Sequence, residues 1–431
     1  MTALQTRHSS FDISKQTMYE YGSFKDSRKS PIHRWFMYPA GYSHKLVEAM
    51  IRRYNMDKNS LLVDPFLGSG TTTLAASHIG IKSIGVEAHP FVAWVAKTKC
   101  AKWNVSRLES EYEKLTSEIR YDVGNFTSTV KYPDLIYKCF SKKTLSTLEK
   151  IHNAVKVVNF GKDFFKLALV ATLRNVSTAG TGWPYIAPSE HAKKTPKVDA
   201  VTAFDNQCRL MLNYVSQYDQ KADARVVLGD SRNISSYMNG QEADLIITSP
   251  PYLNNYDYAD RTRFETYFLG MYENWGEITK HVRDKLITAA TTQVSVSKDM
   301  EKAKMPTVKD LSTTIHSDIS RLISHMSDMR NIKPGKKRYD IMTGGYFEDL
   351  SKVMIEMYEI MPKNGHAIMV LGDSAPYGVH VPTDVLIGRI GKAIGFKQYK
   401  IKVLRERGGK WRSNPQRHHV ELRETITTLT K

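Results

Sequence analysis

Residues 61–87 read LLVDPFLGSGTTTLAASHIGIKSIGVE. Leu61–Val63 form an apolar run of strand type, closed by Asp64. Gly68-Ser69-Gly70 follows as a loop, Thr71 to Ala76 opens a helix, and KSIGVE returns as a second strand ending in Glu87. Strand, glycine loop, helix and strand in that order predict a crossover unit of a parallel sheet. The glycines let the backbone approach a ligand closely, and the first turn of the helix offers unpaired N–H groups to polar acceptors. The stretch is not a P-loop, because no Gly-Lys-Ser/Thr follows. It is a poor dinucleotide fingerprint as well, since Thr73 stands where the third glycine belongs. Glu87, at the end of the second strand, is placed to hold a ribose diol.

Two further strand ends point to the same edge. ARVVLGDSRN places Asp230 and Ser231 at the end of one strand. The next, in DLIITSPPYLNNYDY (Asp244–Tyr258), stops on Thr248-Ser249-Pro250-Pro251-Tyr252. Neither proline has an N–H to continue a sheet ladder. A Pro-Pro pair is common turn punctuation. At the carboxyl end of a parallel strand it also makes a rigid arm, presenting fixed acceptors and a ring to a ligand.

The chain has 431 residues, 41% of them apolar, enough for a substantial core. Its 62 basic and 44 acidic residues leave a net charge of +18, which favours a polyanionic partner, most simply nucleic acid. The three cysteines, Cys100, Cys139 and Cys208, are widely spaced, and no Cys/His cluster predicts zinc or another metal. The amino terminus lacks an apolar signal region, and runs such as FFKLALVATL are too short to span a bilayer, so a cytoplasmic protein without membrane contact is expected.

Strand and helix signals cluster at 61–100 and 224–270 and resume at 346–431. In the last region Asp349–Tyr358 reads as helix, HAIMVLGD as a buried strand, Asp384–Ile394 as helix, and KQYKIKVLRE and ETITTLTK as two strands. The pattern predicts an α/β fold: a doubly wound, Rossmann-like, mostly parallel sheet closed by an antiparallel carboxyl-terminal hairpin, with one antiparallel strand at the edge. Residues 1–100, 223–270 and 346–431 compose one catalytic domain. Residues 101–222, with patterns such as LESEYEKLTSEI, read as a largely helical insertion. Residues 271–345, ending in the basic run Lys333–Arg338, read as a second insertion and candidate DNA-recognition element.

With these motifs in place, the sequence resembles the S-adenosyl-L-methionine-dependent DNA amino-methyltransferases. Asp64-Pro-Phe-Leu-Gly-Ser-Gly-Thr-Thr72 is similar to the family's cofactor motif, and Thr248–Tyr252 to its catalytic motif in the form typical of cytosine-N4 enzymes. His33–Phe36 through Tyr42-Ser43 and Leu46-Val47 resembles the segment beside the methionine end of the cofactor. The closing region from Gly365 to Lys431 also resembles the family's carboxyl part, whereas 101–222 and 271–345 lie outside the likeness. The cofactor motif precedes the catalytic one here, while many relatives with the serine motif are circularly permuted.

The resemblance implies roles residue by residue. Phe66, Gly68, Gly70 and Thr71 would cradle the amino-acid part of S-adenosyl-L-methionine, and Asp64 would engage it through water or the ammonium. Glu87 would take the ribose hydroxyls, and Asp230 with Ser231 would meet the adenine. Ser249 Oγ and the Pro250 carbonyl would hold the two N–H groups of an exocyclic amine, with Pro251 stiffening the arm and Tyr252 stacking on the base. An amine inside a duplex cannot reach the cofactor, so the base is flipped out. Arg405, Arg407, Lys410, Arg412, Arg417 and Arg423 would suit phosphate contacts. His418 and His419 fit better as phosphate neighbours than as metal ligands. Trp183 and Tyr185 suit a DNA cleft or a core. Cytosine-C5 chemistry, which needs a thiolate usually placed after a proline, finds no match in Cys100, Cys139 or Cys208. The implied partner is double-stranded DNA, with a companion restriction endonuclease in a modification system. Adenine-N6 and RNA amino-methylation stay open as alternatives, as does a catalytically silent nucleic-acid binder.

Overall fold

The computed structural model describes residues 21–22, 26–36, 38, 41–121, 130–179, 195–333, 335–407 and 420–431. Its sheet has seven strands: β1 (Leu61–Asp64), β2 (Lys82–Glu87), β3 (Ala224–Leu228), β4 (Leu245–Thr248), β5 (His366–Gly372), β6 (Gln398–Arg407) and β7 (Leu422–Thr430). They lie side by side in the order β3-β2-β1-β4-β5-β7-β6. The first five are mutually parallel, and β7 runs antiparallel to both β5 and β6. This is the expected mostly parallel α/β sheet with an antiparallel hairpin at its carboxyl edge. One detail differs: the final strand, β7, lies inside the sheet and β6 takes the edge. Composition explains the swap. β7 buries Glu424–Thr427 and Leu429, whereas β6 carries lysines and arginines with Leu404 as its one buried residue, and a charged strand is the one suited to an open edge.

Strand alternation builds a core on each face. Leu62, Leu245, Ile247, Ile368, Val370 and Ile426 pack with helices His44–Arg53 and Thr71–Ile79. Val63, Val86, Ile246, Met369, Leu371 and Leu429 face the opposite way, toward helices Tyr339–Glu359 and Thr383–Ile394. Covering both faces is why β1, β4 and β5 read as unbroken apolar runs. The helix Tyr339–Glu359 begins well before the predicted Asp349 and carries Gly344-Gly345 in its interior.

The helices of 101–222 form a core of their own that continues into the sheet's flanking helices. In Lys142–Lys156, Leu145, Leu148, Ile151 and Val155 fall on one face, and the Ser141 side chain caps the amino end by accepting from Thr144 N. These residues share a cluster with Phe91 and Val95 of helix Pro90–Cys100 and with Phe264 and Phe268. The Arg174 guanidinium forks onto Glu265, at 2.6 and 3.2 Å, and fixes this joint. Residues 271–345 do not stand apart either. Ala289, Met305, Val308, Ile315, Ile319 and Met326 enter the same core as Ile246 and Met369 of the sheet.

The sheet order places the functional edge. Sequence-consecutive strands step outward from β1 to β2 and β3, and the chain then crosses back to β4 on the other side of β1. Ligands of open α/β sheets bind at such a switch point, beyond the carboxyl ends of the strands. The residues following β1 and β4 are Pro65–Gly70 and Ser249–Tyr252.

Candidate active site

The two motifs are physically joined where they leave the sheet. Asp64, 1% exposed, accepts from Phe66 N at 2.9 Å and Thr248 Oγ1 at 2.6 Å on one oxygen. Its other oxygen accepts from Tyr42 OH at 3.2 Å and from the Thr72 hydroxyl. Burial pushes the Asp64 carboxyl up, against the pull of these donors. Thr248 Oγ1 in turn accepts from Phe66 N at 3.2 Å. Thr248, the last residue of β4, therefore shares both Asp64 and the backbone of the turn after β1.

The loop turns on two left-handed glycines, Gly68 at φ 56° and Gly70 at φ 95°, values that L side chains rarely adopt. Gly70 is also the N-cap of Thr71–Ile79 and supplies no side-chain cap, so the first-turn N–H groups stay available to a ligand. Across the loop, Glu87 accepts from Gly68 N at 2.9 Å and from His89 N at 2.8 Å. Burial raises its carboxyl to about 7, against these two N–H donors. Ser231 Oγ donates to the Pro65 carbonyl, and Asp230 is forked by its neighbour Arg232 at 2.7–3.0 Å.

Between these elements lies a cavity with about 900 Å³ of space not filled by protein atoms, part of it open to solvent. It brings together Phe66, Gly68, Thr71, Glu87, Asp230, Ser231, Ser249 and Pro251. Asp64 and Gly70 lie behind this wall and shape it; Pro250 and Tyr252 also stand outside it. The cavity is further lined by Tyr38, Tyr42, Tyr258 and Lys285–Ile287. Tyr258 closes the stretch quoted from β4, Tyr38 and Tyr42 belong to the stretch His33–Ser43 singled out by the resemblance, and Lys285–Ile287 carry no local motif. A partly exposed carboxylate, a left-handed glycine turn and a free helix amino end suit a ligand with a diol and an amino-acid head, as S-adenosyl-L-methionine has.

The Ser249–Tyr252 arm is held from β5 and β7. Ser249 Oγ donates to the Val370 carbonyl at 3.3 Å, which directs its proton toward the sheet and leaves its lone pairs as acceptors. Tyr252, 8% exposed, donates its hydroxyl to Glu424 at 2.5 Å, and the Arg407 guanidinium lies over its ring at 5.0 Å. Arg405 pairs with the other oxygen of Glu424, and Arg423 pairs with Asp384 at 3.0 Å. These arginines, expected at phosphates, are engaged by partners within the protein. Lys410, Arg412, Arg417, His418, His419, Trp183 and Tyr185 lie outside the described residues.

The cysteines are placed unlike nucleophiles. Cys100, Cys139 and Cys208 are buried, none lines the cavity, and burial pushes the Cys100 and Cys139 thiols up to about 11. Among the described residues, no group of three or more His, Cys, Asp or Glu could hold a metal, and no helix is long and apolar enough to cross a membrane.

Residues 5–154 match the family model for DNA methylases of the N6/N4 class. The chain is similar to the Type II methyltransferase M.BsoBI of Geobacillus stearothermophilus, with 26% identity over 95% of this chain and 87% of the relative. It is similar to M.AvaI of a Nostoc species at 25% identity, covering 89% and 82%, and to M.MvaI of Kocuria varians at 23%, covering 88% and 84%.

Proposed function

We propose, from the premise that this chain is a DNA methyltransferase of the N4/N6 class, that it methylates the exocyclic N4 amine of a cytosine flipped out of duplex DNA at a specific sequence. The observation that carries the reading is the shared cavity: Ser249 and Pro251 of the catalytic arm line the same space as Gly68, Glu87, Asp230 and Ser231. When bound, S-adenosyl-L-methionine supplies a methyl group on a sulfonium. Glu87 would hold the ribose hydroxyls, and the Gly68–Gly70 turn with the first turn of Thr71–Ile79 would hold the amino-acid part. Asp64, with its oxygens engaged by Thr248, Phe66, Tyr42 and Thr72, fixes the turn that does the holding.

The chemistry asks for alignment more than for acid–base power. An exocyclic amine is a weak nucleophile because its lone pair is delocalised into the ring. Ser249 Oγ, its own proton directed to Val370, and the Pro250 carbonyl accept the two N–H groups and turn that lone pair toward the methyl. With the group bound, the new C–N bond would form as the C–S bond breaks, and the surplus proton of the methylated amine would pass to solvent water. Tyr252 offers a ring for the base once Arg407 moves aside. A serine where adenine-N6 enzymes usually carry an acid or asparagine favours cytosine. The setting this supports is the cytoplasm, in a restriction-modification system with a companion endonuclease.

The test is to incubate the protein with methyl-labelled cofactor and duplex DNA and identify the labelled nucleoside. N4-methylcytosine is the expected product. N6-methyladenine keeps the mechanism and overturns the base, and label in RNA alone overturns the substrate.

A further inference from the structure

Lys285–Ala289 reaches the cavity from a region with no motif, and three of its residues, Lys285, Leu286 and Ile287, form part of the wall. It is held on three sides. Arg232, the residue that forks Asp230, donates to the Lys285 carbonyl at 3.3 Å. From beneath, Asp349 accepts from Thr288 N at 2.8 Å and from Thr288 Oγ1 at 3.0 Å. On the catalytic side, Asn254 N, two residues past Tyr252, donates to the Ala289 carbonyl at 2.7 Å. The segment thus touches both the Asp230 end of the cavity and the catalytic loop.

Asp349 is the common anchor. It is 1% exposed, pairs with Arg232 at 2.8 Å through one oxygen, and pairs with Lys302 at 2.5 Å through the other. Burial pushes its carboxyl up, but Lys302 and Arg232 outweigh that and hold it below the usual carboxylate range. A buried, fully engaged anion of this kind fixes geometry well, because losing one partner leaves another charge unpaired.

The glycine pair inside Tyr339–Glu359 points to the same device. Glycine is disfavoured in a helix interior, so two together call for a reason. A Cβ at Gly344 would collide with the Ala303 carbonyl, and one at Gly345 would come within 3.2 Å of Thr288 Cγ2 and Oγ1. The helix surface is hollowed where Val296–Ala303 and Thr288 lie on it.

We propose that Lys285–Ala289 is a strap that retains the cofactor and keeps it in register with the catalytic loop, and that Asp349 is the positioning residue that sets the strap. The inference rests on the reading above that S-adenosyl-L-methionine occupies this cavity. The experiment measures cofactor affinity by calorimetry, its dissociation rate by stopped-flow displacement, and duplex DNA affinity, in the full chain and in Asp349→Asn, Lys302→Met and Gly345→Ala. Asp349→Asn should weaken cofactor binding about tenfold, mainly through faster dissociation, because charge-assisted hydrogen bonds are lost. Lys302→Met and Gly345→Ala should move the same rate in the same direction by less, with DNA affinity unchanged within about twofold. A folded Asp349→Asn, judged by its melting transition, that releases cofactor at the wild-type rate overturns the proposal. If Asp349→Asn does not fold, wild-type release from both other variants overturns it, and accelerated release from them supports it. If the wild-type protein binds no S-adenosyl-L-methionine, the reading of the cavity itself fails and the strap falls with it.

Discussion

The cavity has two kinds of wall. At the ends of β1 and β4 the contacts are short in space and tied to the sheet: Phe66 N to Asp64 at 2.9 Å, Thr248 to Asp64 at 2.6 Å, Gly68 N to Glu87 at 2.9 Å. Here a side chain at a strand end fixes the backbone of an adjoining turn, and the sheet ladder cannot slide without flipping residues to the wrong face. Across the cavity, Lys285–Ala289 runs from the last residue of a 3-10 turn into irregular chain, held by Asp349, Arg232 and Asn254 from elsewhere in the fold. The difference is one of anchorage. The strand-end wall is set by the sheet ladder itself, whereas Lys285–Ala289 is set by bonds from Asp349, Arg232 and Asn254.

If the strand-end wall does the chemistry, removing the Ser249 hydroxyl should separate transfer from binding. Ser249→Ala is expected to lower single-turnover methyl transfer by about a hundredfold or more, the scale of losing one aligned polar contact to a reacting group. Cofactor affinity should stay within about twofold of wild type, checked by calorimetry on the same protein. Loss of both together would mean that Ser249 only supports the fold.

Glu87 gives a smaller and pH-dependent effect. Its folded pKa, raised by burial to about 7, exceeds the ordinary value of 4.5. The neutral carboxyl is therefore favoured in the free protein. Its contribution to stability is present below about 4.5 and is lost as pH rises through about 7. A ribose diol donates best to the anion, so cofactor affinity should rise between pH 6 and 8 with release of a proton. Glu87→Gln should flatten that rise and weaken binding about tenfold at pH 8. The smallest effect is expected of Thr248→Val, which keeps the shape of the strand end and removes its bridge to Asp64. It should cost about 1 kcal/mol of stability in denaturant unfolding, with a modest loss in both binding and transfer, because both motifs share that hydroxyl.

Both walls also show what a sequence can display. Asp64, Gly68, Gly70 and Glu87 announce themselves because a turn at a strand end needs glycine, and because an acid there has few purposes other than holding donors. Pro250 and Pro251 mark the arm for the same local reason. Nothing local marks Lys285–Ile287, which precede the Thr288 held by Asp349, whereas Tyr38 lies in the stretch His33–Ser43 that the resemblance singled out. Gly344-Gly345 is legible only in retrospect: it reads as a helix breaker until Thr288 and Ala303 are seen against it. The edge order was not read from the sequence, which put an antiparallel strand at the edge; the burial of Glu424–Thr427 in β7 beside the exposed, charged β6 accounts for the order found. Arg405 and Arg407 were visible as cations but not as braces, because their partners Glu424 and Tyr252 come from other strands and loops.

The most direct measurement is a crystal structure with S-adenosylhomocysteine, the product of methyl transfer, soaked or co-crystallised. The ribose hydroxyls are expected on Glu87, the adenine beside Asp230 and Ser231, and the sulfur facing the space in front of Ser249. Ligand density in this cavity with the ribose away from Glu87, or the sulfur turned from Ser249, would contradict it.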